Sequence, residues 1–182
     1  MSIITVKKAE QHHVAIDAVS QLCPACGLCC NGVLFGDVEL QPDDSPKKLS
    51  ALGLVVERRG GKSRFPQPCS CFDGKLCGIY DNRPGRCRTF ECRLLQRVNA
   101  GRVKPESALK SIAEARKIVK LTLELLRNLG QADEHLPLSR RCAKVMAEPL
   151  DLSGDEAAIK LRRKLMLAIQ KLTQVLSNDF LT

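Results

Sequence analysis

Nine of the ten cysteines in this 182-residue chain lie between Cys23 and Cys92. Four fall in the octet CPACGLCC as Cys23, Cys26, Cys29 and Cys30. Five more, Cys69, Cys71, Cys77, Cys87 and Cys92, fall in CSCFDGKLCGIYDNRPGRCRTFEC. Thiolates two residues apart on a loop of small residues can curl around a soft metal. Cys-Pro-Ala-Cys-Gly reads as a zinc knuckle, in which glycine lets the backbone turn toward the sulfurs. Extended to Cys29, the spacing is that of the first three ligands of a ferredoxin-type iron–sulfur cluster, whose fourth thiolate follows later in the chain. The motif therefore points to metal and leaves zinc and iron open.

Adjacent Cys29 and Cys30 add a constraint. Neighbouring side chains diverge, to opposite faces in a strand and by about 100° around a helix. One tetrahedral ion would not easily take both. Either they serve two sites or a thiolate bridges two metals of one cluster, and the remaining sulfurs come from the second stretch, so that four from each would make eight ligands. Arg83, Arg86, Arg88 and Arg93 in that stretch can offset thiolate charge. A disulfide framework fits poorly, because the first residues, with Lys7, Lys8, His12, His13 and Asp17, do not form a signal peptide. Cys142, between Arg141 and Ala143 in a helical stretch, reads as an inert buried thiol. His12, His13 and His135 lie in polar stretches and read as solvated, and Asp43 with Asp44 reads as a helix-start signal and not as an acid/base pair.

These cysteines must be positioned by short elements. Val33 to Leu40 and Leu54 to Glu57 read as strands, with a short helix opened by Pro42 to Ser45 between them and a turn at Gly60 and Gly61. Further on, Pro105 starts a helix that Gly130 stops, with Ile112, Ala115, Val119, Leu123 and Leu126 as its apolar stripe. Another helix opens at Ser153, capped with Glu156, and carries Ala158, Leu161, Leu165, Ala168, Leu172 and Val175. The stretch with Pro137 and Pro149 permits a reversal, so the two helices should pack on each other; a dimer seam along the last helix is the competing use of the same stripe. The expected fold is helix-rich α+β: a small, irregular, cysteine-ligated segment with short strands (residues 1–104), followed by a C-terminal helical hairpin (residues 105–182) packing on it.

Hydrophobic residues make up 44% of the chain, nearly all aliphatic, and no run approaches the ~18 uncharged apolar residues of a membrane span. A soluble, cytoplasmic protein is the expectation. The net charge of +9 counts every cysteine as neutral. Two four-thiolate sites of about −2 each would reduce it to roughly +5. The basic excess and pI of 9.2, with Arg83, Arg86, Arg88, Arg93 and Arg97, raise a zinc-dependent nucleic-acid binder as one alternative. Against it, Phe65, Phe72, Tyr80 and Phe90 are few and placed where a small core needs them.

The octet Cys23 to Cys30, the run CFDGKLCGIYDNRP and the closing CRTFEC together resemble the CxxCxxCC cysteine-cluster family, a zinc- or iron-chelating domain in a group that includes flagellin lysine N-methylases. The resemblance implies Cys23, Cys26, Cys29, Cys30, Cys71, Cys77, Cys87 and Cys92 as metal ligands, with Cys69 outside the matched set. It implies zinc or iron, an iron–sulfur cluster included, as the bound group. A cluster-dependent protein-modifying enzyme or its accessory is the other alternative. The methylase reaction does not transfer with the motif, because the chain has no glycine-rich nucleotide loop and no Cys with partners four and seven residues on.

Overall fold

The computed structural model describes residues 21–149 and 156–181. Residues 21–26 are helical (α1), and Gly27, at φ +67°, turns the chain out of that helix. Its N–H donates to the Cys23 carbonyl at 3.1 Å, while those of Cys30 and Asn31 return to the Gly27 carbonyl at 3.0 Å each. The octet is thus a helix end and a tight turn, closed by its own backbone.

A three-stranded antiparallel sheet follows, in the order β1-β3-β2: β1 Asp37–Glu39, β2 Glu57–Arg59 and β3 Lys62–Pro66. The expected strand at Val33 to Leu40 shrinks to its last part, and the one at Leu54 to Glu57 begins where it was expected to end. The central strand, β3, escapes sequence reading because KSRFP has one buried side chain, Phe65, and is held by cross-strand charges: Arg64 pairs with Asp37 at 3.0 Å and Lys62 with Glu39 at 2.9 Å. Gly60 and Gly61, at φ +57° and +76°, make the two-residue β2–β3 hairpin turn. Between β1 and β2 lies α2 (Pro46–Ala51), capped by Ser45.

A 3₁₀ turn at Tyr80–Asn82 leads into α3 (Gly85–Thr89) and α4 (Arg93–Asn99), and then α5 (Pro105–Asn128), α6 (Leu138–Ala147) and α7 (Glu156–Asp179). Pro105 opens α5 as expected. Its stripe faces inward, with Ile112, Ala115, Val119 and Leu126 buried. Helix α7 packs along α5 within the chain, burying Leu165, Ala168 and Leu172, and Lys171 pairs with Glu114 at 2.9 Å. The expected cap at Ser153 lies outside the described residues. The reversal is more than a link: α6 occupies it, starting after Pro137 and burying Leu138, Arg141, Cys142 and Val145.

Two apolar clusters result. The larger joins Leu22 and Leu28 to Leu94, Leu95 and Val98 and to the inner faces of α5, α6 and α7, ending on the fully buried Phe180. The smaller, beneath the sheet, gathers Leu40, Leu49, Leu54, Phe65 and Ile79. Among the described residues no helix is long and apolar enough to cross a membrane.

Candidate metal centre

All ten cysteines carry free thiols. Eight of them, Cys23, Cys26, Cys29, Cys30, Cys69, Cys77, Cys87 and Cys92, line one cavity of about 550 Å³ at the seam between the two clusters. The two cysteine stretches are stitched together there by the Cys69 N–H, which donates to the Cys30 carbonyl at 2.8 Å. Cys23 and Cys26 come from α1 and Cys29 and Cys30 from the turn after it. Cys69 follows β3, Cys77 pairs across a short bridge with Phe72, Cys87 sits in α3 and Cys92 caps α4.

The thiols divide by what surrounds them. Cys26 and Cys92 pack against the helical cluster, whereas Cys69, Cys71, Cys77 and Cys87 pack against the cluster under the sheet. Electrostatics follows this line in part, with Cys23 and Cys30 coupled across it. Burial pushes the Cys29 thiol far up, and the sulfurs that add to the rise are Cys26, Cys30, Cys92 and Cys23. Burial takes Cys26 up to about 12, with Cys92 and Cys23 contributing. For Cys87, also raised to about 12 by burial, the contributing sulfurs are Cys30, Cys69 and Cys77. Cys30, raised to about 11, feels Cys77 most and then Cys23. Cys29 thus feels Cys26 and Cys92, which Cys30 does not, and Cys30 feels Cys77, while Cys69 and Cys87 feel Cys30; Cys23 acts on both neighbours, and Cys30 also acts on Cys29.

Several backbone amides aim at these sulfurs. Leu28 N–H donates to Cys26, Cys71 N–H to Cys69, and Leu94 and Leu95 N–H, in the first turn of α4, to Cys92. Each bond favours the thiolate that a metal requires. The cation facing both groups is Arg83, which lowers Cys23 on one side and Cys30 and Cys87 on the other. Its guanidinium lies 3.7 Å from the Tyr80 ring centroid, and its Nε donates to the Tyr80 carbonyl at 3.0 Å. As they stand, no three Cys, His, Asp or Glu side chains among the described residues converge on a point close enough to hold an ion. Each thiol turns on a single side-chain torsion, so rotation between staggered positions is the movement that brings sulfurs together. The donor set fits a thiophilic metal: soft sulfurs, with amide donors already aimed at three of them.

Cys71 is absent from the cavity wall, and its Sγ lies 3.8 Å from the Leu52 carbonyl oxygen, although it packs against the same cluster under the sheet as Cys69 and is the sulfur that most raises Cys69. Cys142 is buried in α6 within the helical core. His135 is exposed, its N–H bonded to Asp133, and His12 and His13 lie outside the described residues. Of the arginines singled out by the sequence, Arg83 and Arg86 line the cavity, while Arg93 donates to the Ser177 carbonyl at 2.8 Å and Arg97 pairs with Asp179 at 3.4 Å. The last two clamp the end of α7 beside Cys92. Phe35 and Phe90 meet edge to face at 5.1 Å in the cavity wall.

Two supports are invisible in the sequence. Asp44 accepts from Gly85 N–H and from Gln41 N–H, both at 2.8 Å, so it anchors the helix that carries Cys87. Arg116 of α5 donates to the Ala25 carbonyl at 2.6 Å, inside the octet. Both contacts span more than forty residues, and nothing local signals them.

No curated protein and no solved structure matches the chain. The profile of the CxxCxxCC family, described as a putative zinc- or iron-chelating domain, matches residues 22–121, which include all eight cavity cysteines. With more than half its length so matched, the chain belongs to the CxxCxxCC family of zinc- or iron-chelating domains.

Proposed function

We propose that this protein binds metal through two sets of four thiols, Cys23, Cys26, Cys29 and Cys92 in the first and Cys30, Cys69, Cys77 and Cys87 in the second. The observation that carries the reading is the cavity walled by these eight cysteines, in which Cys26 and Cys92 pack against one apolar cluster and Cys69, Cys77 and Cys87 against the other. Cys69 replaces Cys71 in the set that the motif implies, and Cys71 serves through its backbone N–H.

In the first set, three cysteines at two-residue spacing and a remote fourth follow the ligand order of a ferredoxin-type cluster. The next cysteine, Cys30, goes to the other set, as the last cysteine of that run does in two-cluster ferredoxins. An iron–sulfur centre in the first set is therefore the favoured occupant, and it would supply one-electron chemistry. Zinc in both sets is the second reading. It is supported by the knuckle geometry of Gly27 at φ +67° with Leu28 N–H on Cys26, and it would make the site a structural cross-link or a store. Nine thiols in one segment belong in a reducing compartment, so the cytoplasm is the proposed location.

Protein purified without oxygen, assayed for iron, zinc and acid-labile sulfide with its visible spectrum recorded, tests this. Iron with sulfide and a brown colour is expected. A colourless protein holding two zinc ions establishes the second reading, and a folded, metal-free protein refutes both.

A further inference from the structure

Gln67 is 2% exposed, lines the cysteine cavity, and its Oε1 has no hydrogen-bond partner. Leaving a buried amide unpaired is costly, and an apolar residue of the same size would fill the space without that cost. Leu54, Phe65 and Ile79 share the wall with Gln67, as do the charged Asp37, Glu39 and Arg64. The backbone N–H of Gln67 donates to the Gly36 carbonyl at 3.1 Å and fixes the backbone there. The residue also stands two residues before Cys69.

We infer that Gln67 donates a hydrogen bond to the metal-bound thiolates of the second set, as a positioning residue beside Cys69. This rests on the two-set reading above. The amide presents either its oxygen or its NH₂ by turning about its last torsion. Four thiolates around a divalent ion carry an excess of negative charge and accept hydrogen bonds only, so they draw the NH₂ and repel the oxygen. Of the other polar groups of the cavity wall, Arg64 holds Asp37 and Glu39 through its terminal guanidinium nitrogens while its buried Nε has no partner, and Arg83 Nε donates to the Tyr80 carbonyl. Without a metal-bound thiolate to draw the NH₂ round, the Gln67 oxygen stays buried and unpaired.

The test uses Co²⁺ and Zn²⁺ as probes, titrated against a competing chelator, in a Cys29→Ser background where the second set remains. Gln67→Leu and Gln67→Met should each weaken binding there by about 10- to 100-fold, the range in which residues outside the ligand shell act, and should shift the thiolate-to-cobalt absorption. Gln67→Glu, an acceptor beside thiolates, should weaken it further. Wild-type affinity in both the Leu and Met variants would overturn the inference, as would tighter binding by Gln67→Glu, which would make the side-chain oxygen a ligand. If the unsubstituted protein binds neither probe, the two-set reading falls and takes the inference with it. Binding by the parent with no response to Gln67 sinks the inference alone.

Discussion

Cys29 and Cys30 offer the sharpest perturbation, because they are adjacent in the chain and share Cys23 yet differ in the other sulfurs they face, Cys26 and Cys92 for one and Cys77 for the other. Cys29→Ser should empty the first set and leave the second, and Cys30→Ser should do the reverse. Apparent binding free energies for all-protein zinc sites are about 10–16 kcal/mol, so one ligand of four is worth about 3 kcal/mol, or more than a hundredfold in affinity. Serine keeps the size and removes the soft thiolate, and its hydroxyl does not ionise near neutral pH. Each single variant should therefore keep one of the two metal centres, read as metal per chain with sulfide where iron is bound, under a chelator that leaves the parent loaded. The double variant should hold none. Retention of both sites in either single variant would refute the partition, and complete loss in each would show one polynuclear centre that needs both sulfurs.

The choice between neighbouring cysteines is tested the same way: Cys69→Ser should lose the second site, while Cys71→Ser, which keeps the N–H that supports Cys69, should retain full metal content. Arg83→Gln should weaken both sites by roughly tenfold, less at high salt because the side chain is half-exposed, with Arg83→Lys falling between; equal affinities across a chelator competition would remove Arg83 from the electrostatics. Gly32→Ala should cost about 2–4 kcal/mol in denaturant unfolding. At φ +77° a side chain is strained, and the added Cβ would lie 3.1 Å from Pro68 and 3.2 Å from the Pro137 backbone, neither of which can give way. An unfolding midpoint equal to the parent's would show that the link between the cysteine turn and α6 is loose.

What could be read from the residues alone was local. The octet's spacing announced metal because thiols a few residues apart are within one turn's reach, whatever the rest of the chain does. Pro105 and the stripe from Ile112 to Leu126 announced α5 because helix periodicity is a property of a continuous segment. The Gly60–Gly61 turn was legible for the same reason, while β3 was not, since its partners Asp37 and Glu39 lie some twenty-five residues away and its own pattern is charged. The grouping of sulfurs needed three dimensions. Cys92 joins Cys23 only because α4 is clamped to the end of α7 through Arg93 and Arg97, and Cys87 joins Cys30 only because Asp44 holds the start of α3. Cys69 and Cys71 are equivalent in sequence and pack against the same cluster, and only Cys69 reaches the cavity wall. Gln67 carries no motif, and its meaning lies in burial without a partner, a property that exists only once the chain has closed around it.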